Sequence, residues 1–255
     1  MKGSRQFFVL CLISCLLFLS LPGLSWPADA VDHTLYADLL KKYVKDGVVN
    51  YRGFKNEENR LDEYLKALEG TDTSKLSRDE QLAFYINAYN ATTIKLILSG
   101  YPGIRSIWDL GSRIFKSKSP FRKNIVRIEG EAISLDDLEH GIIRPRFKEP
   151  RVHFAVNCAS KSCPPLISEP YQGSILDQQL DDSTRAFLNN AEQNRLEGNR
   201  LYVSKIFKWF EEDFNEDVVG FFLRFADMEL KERLITNRDN IKVKYLDYDW
   251  SLNGT

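Results

Sequence analysis

The sequence predicts an α+β fold, a single compact domain with a buried central helix packed on a small, mainly antiparallel sheet. Three observations lead there. The run QLAFYINAYNATTIKLIL, Gln81 to Leu98, is apolar nearly all round at helical length, a pattern a helix carries when protein surrounds it. Short β-branched runs recur as neighbours that read as hairpin partners. Strands and helices do not alternate strictly, which argues against a doubly wound parallel sheet.

Residues 1–30 read separately. Lys2 and Arg5 precede the apolar run FFVLCLISCLLFLSL, then Pro22 and Gly23, then Ala28-Asp29-Ala30. A basic start, an apolar centre shorter than a membrane span and small residues two apart describe a secretory signal peptide cut after Ala30. A retained anchor is the alternative. Cleavage removes Cys11 and Cys15 and leaves residues 31–255 with only Cys158 and Cys163. The expected location is therefore extracytoplasmic, the periplasm for a Gram-negative source and otherwise secreted. The formal charge of the whole chain is -1, with no basic cluster, so nucleic acid is not an expected partner. Nor is a membrane, once the signal is gone, because no second apolar run of spanning length follows.

Along the remainder, LYADLLKKYV and NRLDEYLKAL carry apolar residues at three and four spacing and predict amphipathic helices. GVVNYRGF between them predicts an extended segment. Ser77 and Glu80 form a capping box that opens the central helix. KNIVRIEGEAIS predicts two strands around Glu129-Gly130, and Ser134 with Asp137 caps a helix through LDDLEHGII that ends before Pro145. RVHFAVN has the strongest strand pattern in the chain. A helix over ILDQQLDDSTRAFLNN, a strand at LYVS, two helices over KIFKWFEEDF and DVVGFFLRFA, and a strand at IKVKYL complete the order.

The stretch HFAVNCASKSCPP, His153 to Pro165, concentrates the chemistry. If RVHFAVN is a strand, Cys158 stands at its end, followed by small polar residues suited to a tight loop. The backbone amides around Asn157 and Ala159 are then candidates for an oxyanion site, and Lys161 or a histidine for the cation that lowers the thiol pKa from about 8.5. Four readings of the pair stay open: a reactive thiol, a structural Cys158–Cys163 disulfide, a redox pair, or a metal site. The last is disfavoured because two cysteines and three scattered histidines make no zinc spacing, and no cofactor is predicted.

Among the histidines, His153 would lie about 16 Å from Cys158 along an extended strand, beyond hydrogen-bond reach unless the chain folds back. His140 comes from a separate element and is the candidate base or cation. On a helical wheel it faces away from the apolar stripe of Leu135, Leu138 and Ile142, with Glu139 nearer that stripe. His33, beside the expected cut, is discounted. Asn87 and Asn90 are three apart on the central helix, so two amides point into the core, where they hold a neighbouring loop or line a pocket. Asn90-Ala91-Thr92 matches a glycosylation acceptor whose burial argues against use. Asp249 orients a histidine or caps the chain end. Lys205, Lys208, Glu211 and Glu212 read as ion pairs on one solvated helix face.

AFYINAYNA (83–91), LEHGIIRP (138–145), RVHFAVNCASKSCPP (151–165), SKIFKWFEEDF (204–214) and YDWSLN (248–253) together resemble the domain-of-unknown-function 547 family, from about Leu35 to Asn253. The resemblance implies no assigned reaction, and a remote papain-like relation lies outside the motif match. It points to Asn87, Asn90, Glu139, His140, His153, Cys158, Asp249 and Trp250. It also implies that serine can stand at the Cys163 position, which favours Cys158 as the essential thiol. The expected activity is thiol-dependent acyl transfer or hydrolysis of an amide or thioester. Cys158 would be the nucleophile, His140 the base, and Asp249 or Glu139 the orienter. A non-enzymatic binding module with a Cys158–Cys163 disulfide and a periplasmic thiol-disulfide partner are the alternatives. No substrate, whether small molecule or peptide, and no oligomeric state is legible in the residues.

Overall fold

The structure is a computed structural model and describes residues 31–111 and 118–255. The expected cut after Ala30, and Cys11 and Cys15, lie outside the described residues. The chain runs α1 (Thr34–Tyr43), β1 (Val44–Lys45), β2 (Val48–Val49), α2 (Tyr51–Asn56), α3 (Glu58–Glu69) and α4 (Arg78–Leu98). Then come β3 (Asn124–Ile128), β4 (Glu131–Ser134), α5 (Arg144–Phe147), α6 (Leu176–Leu188), β5 (Arg195–Glu197) and β6 (Arg200–Val203). The last elements are α7 (Ile206–Trp209), α8 (Val218–Phe225), α9 (Met228–Thr236) and β7 (Lys242–Tyr245).

The α+β reading holds. The Ser77–Glu80 capping box is formed in both directions at the start of α4, a cap worth about 1 kcal/mol. The helix behind it is buried on all sides from Gln81 to Ile94. α4 is thus the centre of the larger core, against which α2, α3 and β3 pack. Glu129 and Gly130 both take positive φ, 53° and 79°, and turn β3 back onto antiparallel β4.

The sheet content is three small sheets, β1–β2, β3–β4 and β5–β6–β7. The first two are antiparallel, while β7 joins β6 in parallel, with Arg200 opposite Lys242 and Val203 opposite Tyr245. A second core, rich in phenylalanine, gathers around Phe154, whose ring lies 5.3–5.9 Å from those of Phe187, Phe207, Phe214 and Phe221.

Three local expectations are corrected. YRGF is not extended but opens α2, because the Asn50 side chain accepts from Gly53 N–H and caps a helix there. The helix begun at the Ser134–Asp137 box does not end before Pro145. It passes through a π-helical stretch, Asp137–Ile143, into α5, where proline in the first turn costs little because the N–H it lacks has no α-helical partner there. RVHFAVN is not a strand: Pro150–Phe154 is a 3-10 helix, started by Pro150 at its first turn and by Glu149, which accepts from Arg151 N–H. Arg151 fixes that turn from outside through Glu149, Asp177 and Asp181, at 2.8, 2.8 and 2.5 Å. The segment then runs between the two cores, with Val152, Ala155 and Val156 in the first and Phe154 in the second.

Candidate active site

Where the two cores meet, a cavity of about 240 Å³ opens over Cys158. Glu139, His140 and His153 line it with Cys158 and Cys163, and an aromatic wall of Trp108, Phe121, Trp209, Phe210, Tyr248 and Trp250 surrounds them. The sequence-predicted Cys158, Glu139, His140 and His153 are therefore brought together. Asn87, Asn90, Asn157, Ala159 and Asp249 are not among the lining residues.

The loop under Cys158 is held by its neighbours' amides. Asn90 Nδ2 donates to Ala155 O (2.9 Å) and its Oδ1 accepts from Asn157 N–H (2.8 Å), so α4 fixes the approach to the cysteine. Asn157 in turn donates to Pro164 O (2.7 Å) and accepts from Ala159 N–H (2.9 Å), closing the loop on itself. Asn87 does the same work elsewhere, exchanging two hydrogen bonds with the Tyr171 backbone. Both central-helix asparagines are thus loop holders, and Asn90 is buried away from any glycosylation use.

Of the expected oxyanion amides, most are already committed within the loop, while Ser160 N–H faces the Cys158 sulfur. Ala159 N–H is spent on Asn157, and Cys158 N–H donates to the Cys163 sulfur at 2.9 Å. Lys161 and Ser162 N–H pair with Ser251 O and Asp249 O, and Cys163 N–H with Ser160 O. Asn157 N–H is held by Asn90. The cause is residues 248–255, which run along the loop and also bridge Ser106 and Val49. Gly254 fits there because a Cβ would meet Val49 O at 1.9 Å. Ala159 itself sits at φ 61°, a left-handed conformation that costs an alanine about 1 kcal/mol and is kept next to the thiol.

The sulfur of Cys158 is bonded by hydroxyls rather than by an imidazole. Ser160 Oγ lies 3.1 Å from it and Tyr248 Oη 3.2 Å, and these two hydroxyls are themselves 3.2 Å apart. Burial pushes the Cys158 thiol up, but hydrogen bonds from Cys163, Ser160 and Tyr248 reverse this and bring it down to about 7. Burial pushes Tyr248 well up, as do the two neighbouring sulfurs, so its phenol stays protonated and donates. Cys163 is buried, and burial with the adjacent Cys158 raises its thiol well above the ordinary value. Both cysteines are free thiols in the structure.

Across the cavity stands a second group. His153 is buried and stacked on Phe210 at 3.9 Å, with Nε2 2.6 Å from Asp213 Oδ2. A carboxylate only accepts, so Nε2 carries the hydrogen and Nδ1 faces Glu139 Oε1 at 3.9 Å. Burial pushes the His153 pKa down, against the pull of Asp213, and leaves a neutral imidazole. Asp213, bonded by both His153 and Arg144 (2.6 Å), is held well below the usual carboxylate range, although its partial burial acts the other way. Glu139 is buried, and burial raises its pKa more than His140, the Tyr89 hydroxyl and Arg144 lower it.

The π-helical turn explains why Glu139 and His140 both reach the cavity when a wheel drawn at α-helical pitch turns His140 away. Widening the turn brings successive residues closer to one face. His140, however, makes no hydrogen bond to Cys158 among the described residues. Its Nδ1 accepts from Arg144 at 2.9 Å, which engages that lone pair, and its ring stacks 6.0 Å from Phe210. Asp249 is corrected as an orienter: its carboxylate accepts from Ser251 Oγ and N–H at 2.6 and 2.9 Å and touches no histidine, so it caps the chain locally. Lys161 lies on another cavity behind the loop. His33 is not a loose end, since it bonds Tyr64 at 2.7 Å and burial pushes its pKa down to about 4. Lys205 pairs with Asp247 and Glu212 with Arg144 across the fold, not along one solvated helix.

Sequence reasoning missed Ser160, Tyr248, Tyr89, Asp213 and Phe210 as site residues. The signal available is their place inside the motifs CASKSC, YDWSLN, AFYINAYNA and KWFEEDF. Among the described residues no cluster of His, Cys, Asp or Glu is placed to hold a metal, and no helix is long and apolar enough to cross a membrane. The family model described as Protein of unknown function, DUF547, matches residues 73–188. Three of the five quoted motifs fall inside that span, and the two that supply Asp213 and Tyr248 fall after it. No curated protein and no solved structure matches the chain.

Proposed function

We propose, for a chain whose residues 73–188 match the DUF547 family model, a cysteine-nucleophile hydrolase or acyltransferase acting on an amide or thioester. The observation that carries this reading is the partly exposed Cys158 sulfur in a cavity of about 240 Å³, with its thiol brought down to about 7 by hydrogen bonds. A thiol near neutrality is both ionised enough and nucleophilic enough to attack a carbonyl. Cys158 Sγ bonds to the carbonyl carbon, and the hydroxyls of Ser160 and Tyr248, with Ser160 N–H, pass from the sulfur to the developing oxyanion. Glu139, whose pKa burial raises, is placed to give a proton to the departing nitrogen or sulfur. Water then attacks the acyl-enzyme, with the neutral His153, oriented by Asp213, taking the water's proton.

The test is turnover of a panel of chromogenic thioesters and anilides by full chain and by Cys158→Ser, with the acyl-enzyme sought by intact mass. Acylation of wild type at Cys158, absent in the variant, is expected. Wild type that neither acylates nor turns over any acyl donor, while Cys158 still alkylates at neutral pH, overturns acyl transfer. The same reading includes export with a first residue at Val31, motivated by the basic start, apolar run and Ala-x-Ala ending of residues 1–30. N-terminal sequencing of cell fractions decides that part, and Met1 retained on the membrane fraction sinks it.

A further inference from the structure

We infer that Cys158 is a reversible oxidation site for hydroperoxides and that Cys163 is its resolving thiol. The inference rests on the nucleophile reading of Cys158 and adds a second reaction at the same sulfur. Three observations carry it. The Cys163 sulfur accepts the Cys158 backbone N–H at 2.9 Å, so it already rests against the residue whose sulfur it would join. The intervening loop is fixed in that arrangement by Asn157 to Pro164 O and by Cys163 N–H to Ser160 O. Access is unequal: Cys158 is half-buried at the cavity, whereas Cys163 is buried, so a reagent entering from solvent meets Cys158 first.

The chemistry follows from that asymmetry. The Cys158 thiolate attacks the terminal oxygen of a hydroperoxide, an S–O bond forms and the O–O bond breaks. The departing alkoxide takes a proton from water, so sulfur loses two electrons to the peroxide and a sulfenic acid remains. Ser160 Oγ and Tyr248 Oη, at 3.1 and 3.2 Å from that sulfur, are placed to bond the new oxygen. Cys163 then attacks the Cys158 sulfur, the S–S bond forms, and hydroxide leaves with the Cys163 proton as water. A dithiol restores both thiols by two exchanges and is itself oxidised to a disulfide. In this scheme the bridge and the nucleophile are two states of one site, and the bridged state cannot acylate.

The experiment treats reduced full chain and Cys163→Ser with equimolar hydrogen peroxide at neutral pH. It reads iodoacetamide labelling of Cys158, dimedone adducts and the mass of the peptide holding both cysteines, before and after dithiothreitol. For wild type the expected result is loss of labelling, an intramolecular bridge and full return with dithiothreitol. For Cys163→Ser it is a dimedone adduct that wild type does not accumulate. Wild type that labels when reduced but forms no bridge, or traps as much dimedone as the variant, overturns this inference and leaves the nucleophile intact. Wild type whose Cys158 does not label at neutral pH even when reduced overturns both. Bridge formation in wild type decides the question without the variant, so a poorly folded Cys163→Ser does not obscure it.

Discussion

The two sides of the cavity hold their reactive groups by different means. On the loop side, the Cys158 sulfur is bonded by two hydroxyls and a second thiol. On the helix side, His153 is bonded to a carboxylate and pressed against an aromatic ring. A carboxylate holds the imidazole, and neutral donors hold the thiol. The difference teaches that the thiolate here needs no imidazolium partner. Proton handling can then stay with Glu139, His153 and Asp213 while nucleophilicity stays with the loop. Tyr89 is the contact between the sides, since its hydroxyl bonds Glu139 and its phenol is pushed well up, above all by burial.

The largest expected effect breaks the loop side mechanically. Asn90→Leu leaves Ala155 O and Asn157 N–H buried without partners, which costs about 1–3 kcal/mol for each group. Asn87→Leu strands two Tyr171 backbone groups by the same logic. Denaturant midpoints of the two variants measure this. Unchanged midpoints would mean that water reaches these amides and that α4 does not anchor the cysteine loop.

A smaller effect separates the two sides chemically. Tyr248→Phe removes one donor from the thiolate, and hydrogen bonds to charged groups are worth about 1.5–3 kcal/mol. The pH midpoint of Cys158 alkylation should therefore rise from about 7 toward the ordinary thiol range, slowing labelling roughly tenfold below neutrality. His153→Ala should leave that midpoint where it is. The converse outcome, in which His153→Ala raises the midpoint and Tyr248→Phe does not, would make the imidazole the thiol's partner and join what the geometry keeps apart.

How much of this was legible in sequence follows the range of the interactions. The α4 capping box and the β3–β4 hairpin were readable because the residues that form them lie within a few positions of each other. RVHFAVN alternates like a strand, yet its conformation is decided by Pro150 and by Arg151 reaching Asp177 and Asp181 on α6. With the strand goes the distance argument that separated His153 from Cys158, since a 3-10 turn rises only about 2 Å per residue. Tyr248 meets Cys158 across 90 positions and Asp213 meets His153 across 60, distances at which residue type alone identifies no partner. The π-helical turn was invisible for another reason: nothing in DLEHGII announces a change of pitch, so a wheel at α-helical spacing misplaced His140.

The next effect sharpens the helix side through pH. Asp213 is held well below the ordinary carboxylate range by His153 and Arg144, so its stabilising contribution is complete above about pH 4 and is lost as pH falls toward its folded-state value. Asp213→Asn keeps an acceptor for the His153 N–H but loses the charge facing Arg144, a loss of about 1 kcal/mol at neutral pH for a partly exposed pair. The gap in melting temperature between wild type and variant should therefore be wider at about pH 7 than at about pH 3. A gap that widens on acidification would show that His153 and Arg144 are not what hold the carboxylate ionised.

The smallest expected effect is that of His140→Ala on the thiol, and its smallness is the sharpest test of how the cavity is divided. From sequence His140 is the natural base, because it comes from another element and nothing along the chain prevents it from reaching Cys158. In the fold it lines the same cavity but turns its nitrogens elsewhere, Nδ1 to Arg144 at 2.9 Å and Nε2 toward Asp136 Oδ1 at 3.7 Å. Its ring completes a stack in which Phe210 lies between it and His153, at 6.0 and 3.9 Å. Removing it should loosen Arg144 and Phe210, and through them the seating of His153, while leaving the Cys158 alkylation midpoint at about 7. Acyl turnover should fall through the helix side alone, with the acylation step less affected than the release of the acyl group by water. An alkylation curve displaced upward by His140→Ala would mean that the imidazole turns from Arg144 to the sulfur in solution, and the thiolate would then depend on charge after all.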